Sequence, residues 1–251
     1  MAGMPPACAP ELTIVVPAFN EERRLGATLE AIATFVEQRK LDAEILVVDD
    51  GSRDRTRAIV EEAAARIPRL AVLSLPKNRG KGIAVRTGFV AARGELVLFT
   101  DADNSTPIEE LDRLDATMRL HGASVAIGSR ALGDSDVRVR QHLLRQLMGQ
   151  TFNLVVRILT GLPFKDTQCG FKLFRREACL PVFLAQRVGG FAFDAEVLFL
   201  ARRFGLLVVE VPVRWINSPD SRVRLLRDPL LMLRDLFRIR LNAMLGRYRA
   251  E

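Results

Sequence analysis

The chain has 251 residues, 49% hydrophobic and 27% charged, with a formal charge of +7; this is the profile of a globular protein long enough to bury a full core, and it excludes disordered, fibrous and low-complexity classes. Three cysteines, Cys8, Cys169 and Cys179, form no C-x-x-C pair, so neither a disulfide framework nor a zinc knuckle is indicated and a reducing compartment is expected. The charge is uneven: Arg222 to Arg249 holds eight arginines against Asp228 and Asp235, a net +6, and such a basic, apolar tail on a near-neutral body suits an anionic membrane surface better than nucleic acid.

In chain order, residues 1–10 read as a flexible N-terminus without the charged start and apolar core of a signal peptide. Short apolar runs follow at 12–18, 44–50, 70–75, 95–103 and 124–130, alternating with helical patterns near 22–38, 54–66, 81–92 and 107–120. Runs that are apolar on both faces and separated by helices predict a mostly parallel sheet with helices on both faces, an α/β sandwich. A helical stretch near 139–159, the segments KDTQCGFKLFRR and GGFAFDAEVLFLARR, a strand-like LLVVEVPV and a last helix near 229–246 complete the chain. With no Pro/Gly/Ser linker, residues 11–226 read as one domain, its halves 11–130 and 131–226, followed by a basic amphipathic tail, 227–251. No apolar run reaches the roughly 18 residues of a spanning helix.

Polar residues collect where the five runs end: PAFNEE, DDGS, KNRGKG, DAD and SR. Ligands of such sheets bind beyond the carboxyl ends of the strands. Asp101 and Asp103, one residue apart, repel unless a cation lies between them; a divalent ion, Mg2+ or Mn2+, with hard oxygen ligands resolves the conflict and clamps a diphosphate. The plainer reading makes Asp103 a cap for the helix after Pro107. Asp49 and Asp50 offer acceptors for a base or ribose, or a second cap, and Gly80 and Gly82 flank Lys81, so backbone and cation can both approach phosphate.

In this order and spacing, PAFNEE, VVDDGSRDRT, NRGKGIAVRTG, TDADNSTP and IGSR resemble the family 2 glycosyltransferases of GT-A fold, and DTQCGFKLF, FAFDAEVLFLARR and VEVPVRW with SPDSR resemble the dolichyl- and polyprenyl-phosphate sugar transferases, the glucosyl branch above all. The resemblance implies that Pro17, Ala18, Phe19 and Glu21 cradle the nucleotide base and ribose, that Asp50 faces the base, that Lys81 lies beside the donor, and that Asp101, Ala102 and Asp103 carry the metal and diphosphate motif. It places Ser105 where mannosyl relatives keep a glutamine, Arg130 at the acceptor phosphate with a surface ion pair as the alternative, and Arg222 where it can close over the substrates. Asp194 and Glu196 match the region of a catalytic base in sugar-acceptor relatives; here Asp194 is expected to orient a sugar. Asp166 and Gln168 are expected to shape the sugar pocket, Cys169 to be a small buried residue, and His121 and His142 to have no role.

The resemblance implies a hexosyltransferase: metal-dependent, inverting transfer from a nucleotide diphosphate sugar, UDP-glucose foremost, to dolichyl or polyprenyl phosphate at the cytoplasmic face of a membrane. A lipid phosphate is already ionised at neutral pH, so a strong base is less necessary than arginines to seat it. The alternatives are a GDP-mannose enzyme, a nucleotidyltransferase, and a non-catalytic nucleotide-sugar-binding subunit of a membrane complex. In the tail helix Arg234, Asp235, Arg238 and Asn242 share one sector. It is either packed on the domain with that face in water, or interfacial on lipid, or docked on a membrane subunit.

Overall fold

The computed structural model describes residues 9–138, 143–216 and 228–249. The flexible N-terminus expected at 1–10 lies largely outside these, as do Cys8, His142 and Arg222. Nine strands are assigned among the described residues: β1 Leu12–Ala18, β2 Ala43–Asp49, β3 Leu70–Ser74, β4 Leu96–Thr100, β5 Val125–Ser129, β6 Val137–Arg138, β7 Phe171–Arg175, β8 Val208–Pro212 and β9 Trp215–Ile216. The helices are α1 Leu25–Arg39, α2 Thr56–Ala64, α3 Lys81–Ala91, α4 Leu111–Leu120, α5 Leu143–Thr160, α6 Arg176–Ala185, α7 Phe193–Arg203 and α8 Asp228–Met244.

Seven strands form one sheet in the order β3-β2-β1-β4-β7-β5-β8, and β6 and β9 make a separate two-stranded ribbon. Within the large sheet every pairing is parallel except those of β7 with β4 and β5. The mostly parallel sheet is therefore as expected, with one reversed strand inserted. That reversal delivers the residues just before β7 to the same edge at which the parallel strands end.

β1 shows why the runs lack polar alternation. Ile14 and Val16 face one core with α1, α2 and α4, while Val15 faces a second core with α3, α6, α7 and α8. Both faces are covered, so period-2 alternation places apolar side chains on each. In the second core Phe89 of α3 stacks on Phe183 of α6, centroids 3.7 Å apart, with Phe174 edge-on to both. Each such fully buried ring contributes roughly 1.5–3 kcal/mol. α1 stops where Lys40 turns left-handed and its N–H meets the carbonyls of Val36 and Glu37.

Candidate active site

The strand-end loops enclose a cleft of about 810 Å3, lined among others by Phe19, Asn20, Asp49, Ser52, Lys77 and Asn78. Of the residues expected to cradle a nucleotide, Phe19 lines it. Pro17 and Ala18 are buried in β1, behind the lining. The acidic pair divides its work differently from expectation. Asp49 lines the cleft and accepts from Ser52 N–H at 2.9 Å, whereas Asp50 turns both oxygens to the N–H groups of Arg79 and Gly80, at 2.7 and 2.8 Å. Burial pushes the Asp50 carboxyl up, and these two hydrogen bonds pull it back in part. Asp50 thus fixes the glycine-rich loop. Gly80 has φ +97°, and a Cβ there would lie 2.4 Å from Gly189 O, so no other residue fits this turn.

β4 ends at Thr100 and presents the aspartate pair. Lys81 Nζ lies 2.7 Å from Asp101 Oδ1 and sits over the Phe99 ring at 5.2 Å. Burial disfavours the Lys81 charge, but Asp101 and Asp194 outweigh it and raise its pKa. Asp103 faces Arg24 at 3.4 Å and accepts from Ser105 N–H at 3.0 Å. Arg24 also binds Glu21 through two hydrogen bonds, at 2.5 and 3.0 Å. Glu21 is therefore part of a polar clamp on the aspartate loop, whose Ala102 carbonyl is held by Thr28 Oγ1 at 2.8 Å.

Both aspartates thus meet a cation already. Among the described residues no three His, Cys, Asp or Glu side chains converge as a complete metal set. Two carboxylates at a cleft edge nevertheless fit a hard divalent ion that completes its shell from diphosphate and water. The seat is shaped for them: a Cβ on Gly170 would lie 1.9 Å from Asp101 Oδ2.

Across β7, Arg130 follows β5. Its Nε and Nη2 bind Asp166 at 2.7 and 2.9 Å, its backbone N–H binds the same carboxylate at 3.0 Å, and its guanidinium lies 5.5 Å from the Trp215 ring. Burial opposes the Arg130 charge, but Asp166 outweighs it, and Asp101 adds to the effect. Asp166, buried, is pulled down to about 2 by Arg130 against its own desolvation. The alternative expected for Arg130, a surface ion pair, is met only in part: the pair exists, but Asp166 is buried while the arginine remains 32% exposed.

The chain matches the family model described as "Glycosyl transferase family 2" over residues 13–183. It belongs to that family. One dolichyl-phosphate beta-glucosyltransferase of Trichomonas vaginalis is 38% identical over 237 residues, 91% of this chain and 72% of the relative, and the human dolichyl-phosphate beta-glucosyltransferase is 34% identical over 253 residues, 96% and 78%. Among solved structures, glucosyl-3-phosphoglycerate synthase of Mycobacterium tuberculosis superposes with a TM-score of 0.66 at 20% identity, covering 95% of this chain and 81% of that one. The fold is GT-A.

In this glycosyltransferase two acidic residues of α7 serve different ends. Asp194 is buried and accepts from Lys172 Nζ at 2.5 Å, and Lys172 also donates to Cys169 O at 2.5 Å. Burial raises the Asp194 pKa although Lys172 and Lys81 oppose the rise. Glu196 is buried away from the cleft edge, where it accepts from Arg187 N–H, Val188 N–H and Tyr248 Oη at 3.0, 2.7 and 2.5 Å. It ties the chain's end to the 187–190 loop. Cys169 is buried, its thiol pushed up to about 11 by desolvation, so it is no nucleophile. His121 is exposed on α4's end, its Nδ1 beside Thr117 O.

The sequence reading did not single out Arg24, Lys172 or Gly170. Arg24 stands two residues after the NEE motif, and Lys172 interrupts an otherwise apolar FKLF, a signal in itself for a paired buried charge.

Proposed function

We propose that this glycosyltransferase moves a glucosyl group from UDP-glucose to the phosphate of a dolichyl or other polyprenyl phosphate, with inversion at the anomeric carbon and with Mg2+ or Mn2+ at Asp101 and Asp103. The observation that carries it is the placement of Arg130. It is locked by Asp166 on one edge of its guanidinium and lies at the same sheet edge as the Asp101 carboxylate, whose charge it feels. One cation is thereby aimed for an acceptor anion, while Lys81 stands at the donor's diphosphate. The relatives named dolichyl-phosphate beta-glucosyltransferase support both the sugar and the lipid.

In this reading the donor base enters the cleft against Phe19 and Asp49, and the diphosphate reaches Lys81. Asp101 and Asp103 would hold a divalent ion, which when bound would supply Lewis-acid stabilisation of the departing charge. Arg130 holds the acceptor phosphate in line behind the anomeric carbon, converting an encounter into an oriented attack. The phosphate oxygen is already anionic, so no side chain need remove a proton. This agrees with Asp194, whose carboxylate is engaged by Lys172 instead of being open to serve as a base. The enzyme would work at the cytoplasmic face of a membrane, where a soluble nucleotide sugar meets a lipid phosphate.

The test is a radiolabelled transfer assay with purified protein, polyprenyl phosphate in detergent, Mg2+ or Mn2+, and UDP-glucose, GDP-mannose and UDP-N-acetylglucosamine in parallel. Metal-dependent label in the lipid phase from UDP-glucose is the expected result. Label from GDP-mannose alone would replace the donor, and no label from any donor despite UDP binding would overturn the reading.

A further inference from the structure

α8 lies with much of its polarity turned inward. Asp235 and Asn242 are buried beside Met232, Leu236 and Ile239, whereas Leu230, Phe237, Leu241 and Met244 are 71%, 56%, 51% and 79% exposed. At about 100° per residue the four exposed side chains fall within a sector of about 60°. Arg240 flanks this stripe on one side and Arg234 and Arg238 on the other, the last two in reach of Asp235 yet 60% and 59% exposed. α5, in contact with α8, exposes Leu154 and Ile158 with Arg157 between them. Of the Arg234, Asp235, Arg238 and Asn242 sector, Asp235 and Asn242 therefore pack on the domain while the two arginines stay exposed, and the apolar stripe meets water. An isolated exposed leucine is ordinary; a continuous stripe bordered by arginines has a partner.

We propose that the outward stripe of α8 docks on an anionic phospholipid surface, Phe237, Leu241 and Met244 entering the acyl boundary and Arg234, Arg238 and Arg240 meeting lipid phosphates. Charge selects this occupant. A second copy of the chain would bring the same arginines face to face across a two-fold axis, whereas an anionic bilayer answers both the apolar and the basic parts of the stripe. The docked face also lies one loop from the donor site. The inner side of α8 reaches Gly190, whose added Cβ would stand 3.5 Å from Asp235 Oδ2, and Gly189 O accepts from Gly82 N–H at 2.8 Å in the glycine-rich loop. Beyond the helix, Tyr248 holds Glu196 and Arg187 Nη2 donates to Arg247 O at 3.0 Å.

The purpose of this surface rests on the lipid-acceptor reading, but its test does not. The full chain is co-sedimented with phosphatidylcholine vesicles and with vesicles in which about a third of the lipid is phosphatidylserine, without acceptor or donor. Binding to the anionic vesicles, weakened by salt, is expected. A Phe237→Ser/Leu241→Ser/Met244→Gln variant, with an unchanged melting temperature, should lose on the order of tenfold or more of its vesicle partitioning while transferring sugar to detergent-dispersed acceptor like the parent. Equal sedimentation of variant and parent, or no binding by the parent, overturns the proposal. So does a dimer in light scattering that the variant abolishes, which would assign the stripe to a second copy. Vesicle binding without transfer from any donor leaves the docking surface standing and removes the acceptor reading; transfer in detergent without vesicle binding does the reverse.

Discussion

Lys172 and Asp194 form a buried ion pair, Nζ to Oδ1 2.5 Å, under the aspartate motif, with Lys172 5.7 Å from the Phe99 ring that also carries Lys81. A pair out of water is weak evidence for stability, but removing one partner strands the other charge. Asp194→Ala and Lys172→Met should therefore each lower stability by about 3–5 kcal/mol, and the double variant should lose much less than the sum. Urea unfolding of the four proteins of this cycle measures the coupling; additive losses would show that the two groups act separately.

Asp101→Asn and Asp103→Asn should each weaken Mn2+-dependent UDP binding and lower kcat/KM by about 100-fold or more. Both carboxylates are held from outside by Arg24, Ser105 and Lys81, so the variants should keep their folded near-ultraviolet spectrum. Calorimetry of UDP with and without Mn2+ reads the binding directly. Full retention of metal-linked UDP affinity would place the ion elsewhere.

Gly170→Ala is a sharper probe of the same seat. Its methyl would lie 1.9 Å from Asp101 Oδ2, so the carboxylate must leave its position. Transfer should fall as far as in Asp101→Asn, with the melting temperature reduced by only a few degrees. A fully active Gly170→Ala enzyme would mean that the Asp101 position described here is not the working one.

The Arg130–Asp166 pair gives a pH signature. Asp166 titrates near 2 in the fold against an ordinary 3.8, because Arg130 outweighs its desolvation. A lowered carboxylate contributes stability that is fully present above the unfolded value and lost as pH falls through the folded one. Arg130→Ala, which leaves a buried carboxylate unpaired, should cost about 3 kcal/mol at neutral pH, and the deficit should shrink as pH falls below about 4. Urea midpoints measured across that range check the sign. A deficit that grows on acidification would contradict it.

β1, β2, β4 and β5 were legible because each is buried on both faces and reads as an unbroken apolar run; β3, the partly exposed edge strand, was legible because its LAVL is apolar nonetheless. β7 was not: Lys172 interrupts its pattern, and nothing local says that a late strand enters between β4 and β5 in reverse. α6 was missed too, with Pro181 inside it. At the site, Asp101, Asp103, Lys81 and Arg130 stand at strand ends where chain order alone puts them. The division of labour between Asp49 and Asp50 depends on which way each side chain leaves the strand end, and the link from Arg24 to Asp103 spans 79 residues. The helical wheel of α8 put Arg234, Asp235, Arg238 and Asn242 in one sector, but could not say that Asp235 and Asn242 face inward while the two arginines stay exposed.

The reversed strand β7 separates two inventories. On one side of it, the residues proposed to meet the nucleotide sugar come from loops and strand ends within the first 103 residues; on the other, Arg130 follows β5 and is held by Asp166 from the loop before β7. Donor and acceptor recognition can thus vary independently, like a lock with two separately cut keyways. Exchanging residues 162–169 and 213–216 with those of a relative, with Gly170 kept beside Asp101, should change which phosphate is accepted while leaving UDP affinity as it was.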